Sequence, residues 1–329
     1  PRVGCLIVAD GEVVGRGWHI AAGMDHAEIM ALRAAGSSAR GATAFVSLEP
    51  CSHHGRTGPC CEALIDAGIS QVCIAGLDPN PEVSGNGVDA LEKSGIGVFH
   101  LTEFEAQARQ LNPGYFSRRQ RGIPLVRVKL AMSLDGRTAL ANGESKWITG
   151  AEARAQVQTM RLCSSAIITG VNTVLADDPA LNVRPGELSL SAETLQSNQH
   201  LLDRQPMRVI LDSQLQTPGT ARILGGEGRV TIFCQVDRQP YGALGNVETR
   251  VVAAGNRGVD LRSVLESLAL DYECNEVLVE AGPALSGAFI EADLVDELVV
   301  FIAPKLLGSD AMPLLSLTGL EQMAEAKRF

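Results

Sequence analysis

Residues 26–28 read His-Ala-Glu, and residues 48–60 read Leu-Glu-Pro-Cys-Ser-His-His-Gly-Arg-Thr-Gly-Pro-Cys. The triplet opens a stretch with Ile29, Met30, Leu32 and Ala35 at helical spacing, closed by Gly36. Glu49-Pro50-Cys51 ends a strand-like run, Ala44 to Leu48, and Pro59-Cys60 opens a second helix, Cys61 to Ala67. His26, Cys51 and Cys60 therefore offer one imidazole and two thiolates from the ends of regular elements. Zinc favours such N and S ligands, and a catalytic zinc keeps three of them and leaves its fourth position to water. Glu28, two residues past the histidine, reads as the general acid/base that takes a proton from that water and passes it to a leaving nitrogen. A lone His-Ala-Glu is an ordinary helix start; the two cysteines give it meaning. A purely structural zinc asks for a fourth protein ligand, which Cys61, His53 or His54 offers, although core packing is the plainer role for Cys61. His53, His54 and Arg56 lie in the insert between the cysteines. They are either contacts to a substrate ring or phosphate or a solvated loop, and an insert between two ligands must border the metal.

Outward from this cluster, strand and helix signals alternate. Val3 to Ala9 and Val13 to Trp18 flank the hairpin signal Asp10-Gly11. Strands at Val72 to Ala75 and Ile96 to Leu101, and a helix at Val88 to Ser94, continue the series, which predicts a sheet covered by helices. A helix over Thr102 to Leu111 is broken by Asn112-Pro113-Gly114. Arg118, Arg119 and Arg121 then precede Ile123-Pro124, a basic run that reads as a linker or a solvated helix end. A second alternating series starts at Leu125, with strands at Leu125 to Ala131, Ala166 to Thr169, Arg208 to Leu211, Val230 to Phe233, Val277 to Val279 and Leu298 to Ile302. Its helices fall near Ala151 to Leu162, Leu261 to Leu268 and Ala284 to Glu291, and Glu187 to Gln205 reads as a polar loop with a weak helix.

The chain has 329 residues, enough for two domains that each bury a core. Its 45% hydrophobic and 20% charged residues are those of a globular chain, not a disordered or disulfide-stapled one, and the alternation of strands and helices makes it α/β. No apolar run is long enough for a membrane span. A net charge of -10 disfavours a general grip on nucleic acid. Five of the six histidines precede residue 101 and five of the eight cysteines precede residue 74, so metal-ligand chemistry crowds into the first half. Cys73, Cys163 and Cys234 sit singly in apolar runs, as buried thiols do in a reducing compartment, and a cytoplasmic location is expected.

His-x-Glu followed by Pro-Cys is the pattern of zinc deaminases, whose usual form is Pro-Cys-x-x-Cys. Here Ser52 to Pro59 separate the cysteines. In that longer form the stretch resembles the deaminase half of the bacterial bifunctional riboflavin-biosynthesis deaminase–reductase family, with Gly58-Pro59 where two prolines are usual. Pro1-Arg2-Val3-Gly4 resembles the family's first strand, and Asp78-Pro79-Asn80-Pro81 with Val83, Gly85 and Gly87 resembles its loop over the substrate. The family's preceding helix and substrate-contacting asparagine are expected to be missing from this chain, and its C-terminus to be cut short.

The second half resembles the reductase half of the same family, whose fold is similar to dihydrofolate reductase. The resemblance rests on Lys129 to Arg137, Gly143 to Thr149, Thr173 to Pro179, Val279 to Pro283 and Ala303 to Gly308. Gly282-Pro283-Ala284-Leu285-Ser286-Gly287 follows a strand and opens a helix, so small residues let a phosphate approach backbone N–H groups. Read alone it is a weak motif and packing is an alternative. Trp147 is either a wall for a flat ring or core; Arg161 and Arg184 are phosphate forks or surface charges; Asp177-Asp178-Pro179 is a turn and cap. Glu280, ending a buried strand, needs a partner. The resemblance implies NADPH contacts at Ala131, Trp147, Thr173, Asp177, Ser213 and Gly282, Pro283, Ala284, Leu285, Ser286, Gly287 and Ala288. It implies substrate contacts at Ser145, Arg161, Ala180, Arg184 and Glu280, with Lys129 beside the ribose.

The expectation is a cytidine-deaminase-like three-layer domain over 1–115, a linker over 116–124 and a dihydrofolate-reductase-like domain over 125–329. Zinc-dependent deamination of a diamino-phosphoribosylaminopyrimidine is followed by NADPH-dependent reduction of its ribosyl group to ribityl. A homo-oligomer, a small-molecule substrate, and neither nucleic acid nor membrane as partner are expected. The alternatives are a nucleoside or base deaminase with a degenerate second domain, and a non-catalytic zinc module.

Overall fold

In the computed structural model, which describes every residue except 55–57, 82, 146, 203 and 243, and no side chain at 200 and 201, Asp10-Gly11 forms the hairpin turn with φ of 51° and 82°. Positive φ at both positions matches the twist of the strands it joins. These are β1 (Gly4–Ala9) and β2 (Glu12–Trp18). They are followed by α1 (Ala27–Ala35), β3 (Thr43–Val46), α2 (Cys60–Asp66), β4 (Gln71–Ile74), α3 (Asn86–Lys93), β5 (Gly97–His100), α4 (Glu105–Leu111) and α5 (Pro113–Arg121). The chain divides into two compact units, Pro1–Arg121 and Gly122–Phe329.

The first unit is built on a five-stranded sheet of order β2-β1-β3-β4-β5. β1 runs antiparallel to β2 and β3, and β3, β4 and β5 run parallel. α1 lies directly on β2. Ala27 and Ala31 give that helix a face of small buried residues, and Gly15 and Gly17, both buried, leave the strand beneath it without side chains. A Cβ on Gly15 would stand 2.2 Å from the Ala31 carbonyl oxygen, and one on Gly17 would stand 2.1 Å from that of Ala27. This close approach seats the helix start, and so His26 and Glu28, against the sheet. The basic stretch read as a linker is helical up to Arg121. Tyr115, Phe116 and Ser117 are buried there, and Tyr115 and Phe116 pack with Leu48, so apolar burial draws the segment into the first unit.

The second unit contains β6 (Leu125–Ser133), β7 (Arg137–Ala139), α6 (Ala151–Leu162), β8 (Ala166–Gly170), α7 (Val171–Asp177), α8 (Ala192–Ser197), α9 (Gln199–Leu202) and β9 (Met207–Leu211). It continues through β10 (Val230–Cys234), β11 (Val247–Val251), β12 (Ala254–Gly255), β13 (Gly258–Val259), α10 (Leu261–Leu270), β14 (Glu276–Val279), α11 (Pro283–Glu291), β15 (Glu297–Ala303) and β16 (Met312–Pro313). Seven strands form one sheet of order β11-β10-β9-β8-β14-β6-β15, every pair parallel. β9, β10 and β14 are buried along their whole length, which explains their continuous apolar runs. β14 enters between β8 and β6, so the sheet's order departs from chain order there. The C-terminal ends of strands beside such a switch are where α/β sheets bind ligands. Among the described residues no helix is long and apolar enough to cross a membrane.

Candidate active sites

In the first unit three donors converge. His26 is the N-cap of α1, Cys60 is the first residue of α2, and Cys51 follows β3 by five residues. His26 Nδ1 stands 3.2 Å from Cys60 Sγ and 3.6 Å from Cys51 Sγ. Two ligands of a tetrahedral zinc with ordinary Zn–N and Zn–S bonds lie about 3.6 Å apart, so the donor set fits the ion. Among the described residues no fourth His, Cys, Asp or Glu joins the three. Cys61 turns away and donates to the carbonyls of Pro50 and Gly87. His53 and His54 are exposed, and Arg56 lies outside the described residues. The Cys60 side chain, then His26 and the backbone N–H of Cys60, hold the Cys51 thiol down to about 4 against burial; the contact with Cys51 and burial push Cys60 up. His26 is raised, first by its hydrogen bond to Cys51. Bound zinc deprotonates coordinating thiols outright.

Glu28 lies in the first turn of α1, 3% exposed, and burial lifts its carboxyl to about 7. Two neighbours of this cluster were passed over in the sequence. His19 packs edge-on to His26, ring centroids 5.3 Å apart, and its buried Nε2 has no hydrogen-bond partner among the described residues. Glu49, 3% exposed, accepts from the backbone N–H groups of Asp78, Gly85, Gly87 and Val88. His19 belongs to no spacing pattern, and Glu49, although it stands in the Glu49-Pro50-Cys51 run, finds its backbone partners only through tertiary packing.

In the second unit a cavity of about 860 Å³ opens at the C-terminal ends of β8, β9 and β14. Thr173, Ser213, Gly282, Pro283, Ala284 and Leu285 line it, joined by Ala288. Gly282 caps α11 with Pro283 at its first position, and its N–H donates to Thr173 Oγ1 at 3.3 Å. The helix start thus presents backbone donors to the cavity. Ser286 and Gly287 are not among the residues that line the cavity: Ser286 Oγ donates to the Ala281 carbonyl, and a Cβ on Gly287 would meet the Ser316 carbonyl oxygen at 2.2 Å. Asp177 is exposed at the end of α7, away from the cavity lining. Asp212, fully buried, also lines the cavity; its Oδ2 accepts from Thr217 while Oδ1 has no partner among the described residues.

A charged cluster surrounds the end of β14. Arg161 grips Glu280 through Nε to Oε1 at 2.6 Å and Nη2 to Oε2 at 3.0 Å, and donates Nη1 to the Asn182 carbonyl. Lys129 Nζ stands 3.9 Å from Glu280 Oε2. Burial pushes the Glu280 carboxyl up, but Arg161, then Lys129 and Arg184, overcome it and hold the carboxyl below its ordinary range. Burial lowers the Lys129 ammonium against the pull of Glu280. Arg184 makes its own fork to Glu187 at 2.6 and 2.7 Å. Ala180 lies beside Arg208 and Arg222 in a smaller cavity. Ser145 and Ala131 are half-buried. Trp147 is 64% exposed, with the Arg154 guanidinium 4.7 Å above its ring and its carbonyl held by Lys305 Nζ at 2.8 Å.

Comparison with known proteins agrees with both halves. Residues 1–76 match the cytidine and deoxycytidylate deaminase zinc-binding region, and residues 124–328 match the RibD C-terminal domain. The chain is 49% identical to the riboflavin biosynthesis protein RibD of Escherichia coli K12, over all of this chain and 88% of the relative. It is 45% identical to that of Haemophilus influenzae, over 99% and 86%. Among solved structures, a RibD of Acinetobacter baumannii superposes with a TM-score of 0.89 at 45% identity, covering 99% of this chain and 86% of that one. A diaminohydroxyphosphoribosylaminopyrimidine deaminase/5-amino-6-(5-phosphoribosylamino)uracil reductase of Thermotoga maritima gives 0.82 at 33%, covering 99% and 86%. The expected fold classes, a cytidine-deaminase-like domain and then a reductase domain, hold. With a zinc-binding deaminase half and an NADPH-dependent reductase half on one chain, the protein belongs to the RibD family of bifunctional riboflavin-biosynthesis enzymes.

Proposed function

We propose that the two sites act in turn on one phosphoribosylaminopyrimidine. In the first unit, 2,5-diamino-6-(5-phosphoribosylamino)pyrimidin-4-one takes up water and releases its 2-amino group as ammonia, leaving a uracil ring. His26, Cys51 and Cys60 would hold the zinc, which when bound supplies a water acidified to a pKa near ~7. Glu28 holds the proton that this water gives up and returns it to the departing nitrogen. A carboxyl lifted to about 7 is suited to both halves of that exchange. His53 and Arg56 are assigned to substrate contact in the insert.

In the second unit the ribosyl group is reduced to ribityl, and NADPH supplies the hydride when bound. The Gly282 to Ala288 turn, with Ala131, Trp147, Thr173, Asp177 and Ser213, is assigned to the coenzyme. Ser145, Arg161, Ala180, Arg184 and Glu280 are assigned to the substrate, and Lys129 polarises the opened sugar. Lys129, Arg161 and Arg184 outnumber Glu280 and Glu187 around this cluster, which suits a phosphorylated substrate. The domains follow the compact units, with the deaminase ending at Arg121. Cytoplasmic location, self-association and indifference to nucleic acid are part of the same reading.

The single observation that carries it is the three-donor cluster with Glu28 beside it and no fourth ligand among the described residues. The test is to mix the purified protein with the diamino-pyrimidine and follow ammonia release, then loss of NADPH absorbance. Ammonia first and NADPH oxidation second is the expected order. Activity on free nucleosides with no NADPH oxidation would favour a base deaminase instead.

A further inference from the structure

The Glu49 carboxylate sits two residues before Cys51 and binds four backbone donors. Oε2 accepts from Asp78 at 3.2 Å and Gly85 at 3.1 Å; Oε1 accepts from Gly87 at 2.9 Å and Val88 at 3.3 Å. Gly85 is the N-cap of α3 and Gly87 and Val88 lie in its first turn, whose N–H groups lack helical partners and whose dipole favours a negative charge. Asp78 opens the Asp78-Pro79-Asn80-Pro81 run at the other end of the same segment. The backbone adds further stitches. Glu49 N–H donates to the Gly76 carbonyl at 2.9 Å, and Cys61 Sγ donates to the carbonyls of both Pro50 and Gly87 at 3.3 and 3.5 Å. Tyr115 Oη donates to Asp78 Oδ1 at 2.8 Å. Gly87 has no room for a side chain, since a Cβ there would lie 2.2 Å from the Pro50 carbonyl oxygen.

We infer that Glu49 is a positioning residue for the deamination: its carboxylate clamps residues 78–81 and 83–88 to the stretch after β3 that carries Cys51, so that this segment and the metal ligand are held in one register. The segment abuts Pro50 and Cys61, the immediate neighbours of both cysteine ligands, so a shift in it alters the space in front of the metal. This rests on the deaminase reading of the His26, Cys51 and Cys60 cluster. Only a glutamate fits the joint. Glutamine would turn an NH₂ group toward two N–H donors and leave them unsatisfied, and aspartate is one methylene too short to serve both pairs.

The test uses the full chain loaded with zinc and reads four quantities: zinc per chain, KM and kcat for ammonia release, and NADPH oxidation on the already deaminated pyrimidine. Glu49→Gln is expected to keep its zinc and its reductase rate while kcat/KM for deamination falls about tenfold or more, chiefly through KM. Glu49→Asp is expected not to rescue it, and Gly87→Ala to behave like Glu49→Gln. A kcat/KM equal to wild type at full zinc overturns the inference, as does a loss that only tracks lost zinc with KM unchanged. Where Glu49→Gln fails to hold zinc, Tyr115→Phe decides, because it loosens the same segment and leaves Glu49 and the ligands intact. A raised KM supports the clamp and an unchanged KM overturns it. If zinc-loaded wild type releases no ammonia, the deaminase reading itself fails, which is a different result from a wild type that works and variants that match it.

Discussion

Arg161 on α6 and Glu280 just past β14 lie 119 residues apart in the chain, yet they close a two-bond fork with both side chains only 10% exposed. Lys129 on β6 completes a triad around one carboxylate. Each charge has lost most of its hydration, so the net stabilisation is modest while both partners are present. Removing one strands the other. Arg161→Met is therefore expected to destabilise the second unit by about 3–5 kcal/mol, and Arg161→Met with Glu280→Leu to cost less than the sum of the two single losses. Denaturant titration of the single and double variants measures the coupling, and additive losses would refute it.

The same pair sets a dependence on acid. Glu280 is held below its ordinary range in the folded state, against burial, by Arg161 and Lys129. A depressed carboxyl contributes stability that is fully present above its unfolded pKa of about 4.3 and is lost as pH falls through the folded value. The second unit is expected to lose stability below about pH 4 more steeply than Glu280→Gln does. Thermal melts of both proteins across that acid range provide the comparison, and parallel curves would count against it.

Lys129 has the opposite sign. Burial lowers its pKa in the folded state, so the folded protein sheds this proton before the unfolded chain does. Between the lowered value and the ordinary value of about 10.4, stability attributable to this group rises with pH. If its ammonium polarises the sugar, the reductase rate falls on the alkaline side at a pH below the ordinary lysine range. Lys129→Met is expected to lower the reductase kcat by about 10²-fold while NADPH binding persists. A pH–rate profile, with coenzyme affinity measured separately, checks both statements.

In the first unit, Glu28→Gln keeps the shape of the side chain and removes its capacity to carry a proton. Deamination is expected to fall by about 10²–10⁴-fold, with zinc content and reductase rate unchanged. Cys51→Ser and treatment with a chelator are expected to abolish ammonia release while sparing NADPH oxidation. Added zinc should restore the chelated wild type and not the variant. Ammonia release that survives in Glu28→Gln at wild-type rate would remove the carboxylate from the chemistry.

How much of this was legible in the sequence depended on whether the information was local. The helix over Ala151–Leu162 and the Asp10-Gly11 turn followed from periodicity and from residues that tolerate positive φ. The metal cluster was legible because its ligands carry rare chemistry at element ends. Of the two readings open for the basic run, linker and solvated helix end, the helix Pro113–Arg121 with its arginines in the last turn fits the second. Its Tyr115 and Phe116 are buried only by tertiary contacts with Leu48. The roles of Glu49 and His19 were missed for the same reason: a carboxylate's four amide partners and a histidine's edge-on contact with another are made by tertiary packing.

The contact between β2 and α1 gives one more expectation, because it connects two glycines to the metal site. A methyl on Gly17 would stand 2.1 Å from the Ala27 carbonyl oxygen and 2.5 Å from the Ala31 nitrogen, both backbone atoms that yield only if the helix moves. Ala27 lies between His26 and Glu28, so displacing the helix displaces a ligand and the proton carrier together. Gly17→Ala is expected to destabilise the first unit by more than about 2 kcal/mol and to weaken zinc binding. Reductase activity should persist, because the second unit has its own sheet and core. Gly4→Ala is the matched control: it lies on the neighbouring strand β1, and a Cβ there meets nothing within 4 Å. It is expected to change stability by less than about 0.5 kcal/mol. Melting curves with zinc titration of the two variants decide the matter, and equal behaviour would mean that the helix does not need the bare strand beneath it.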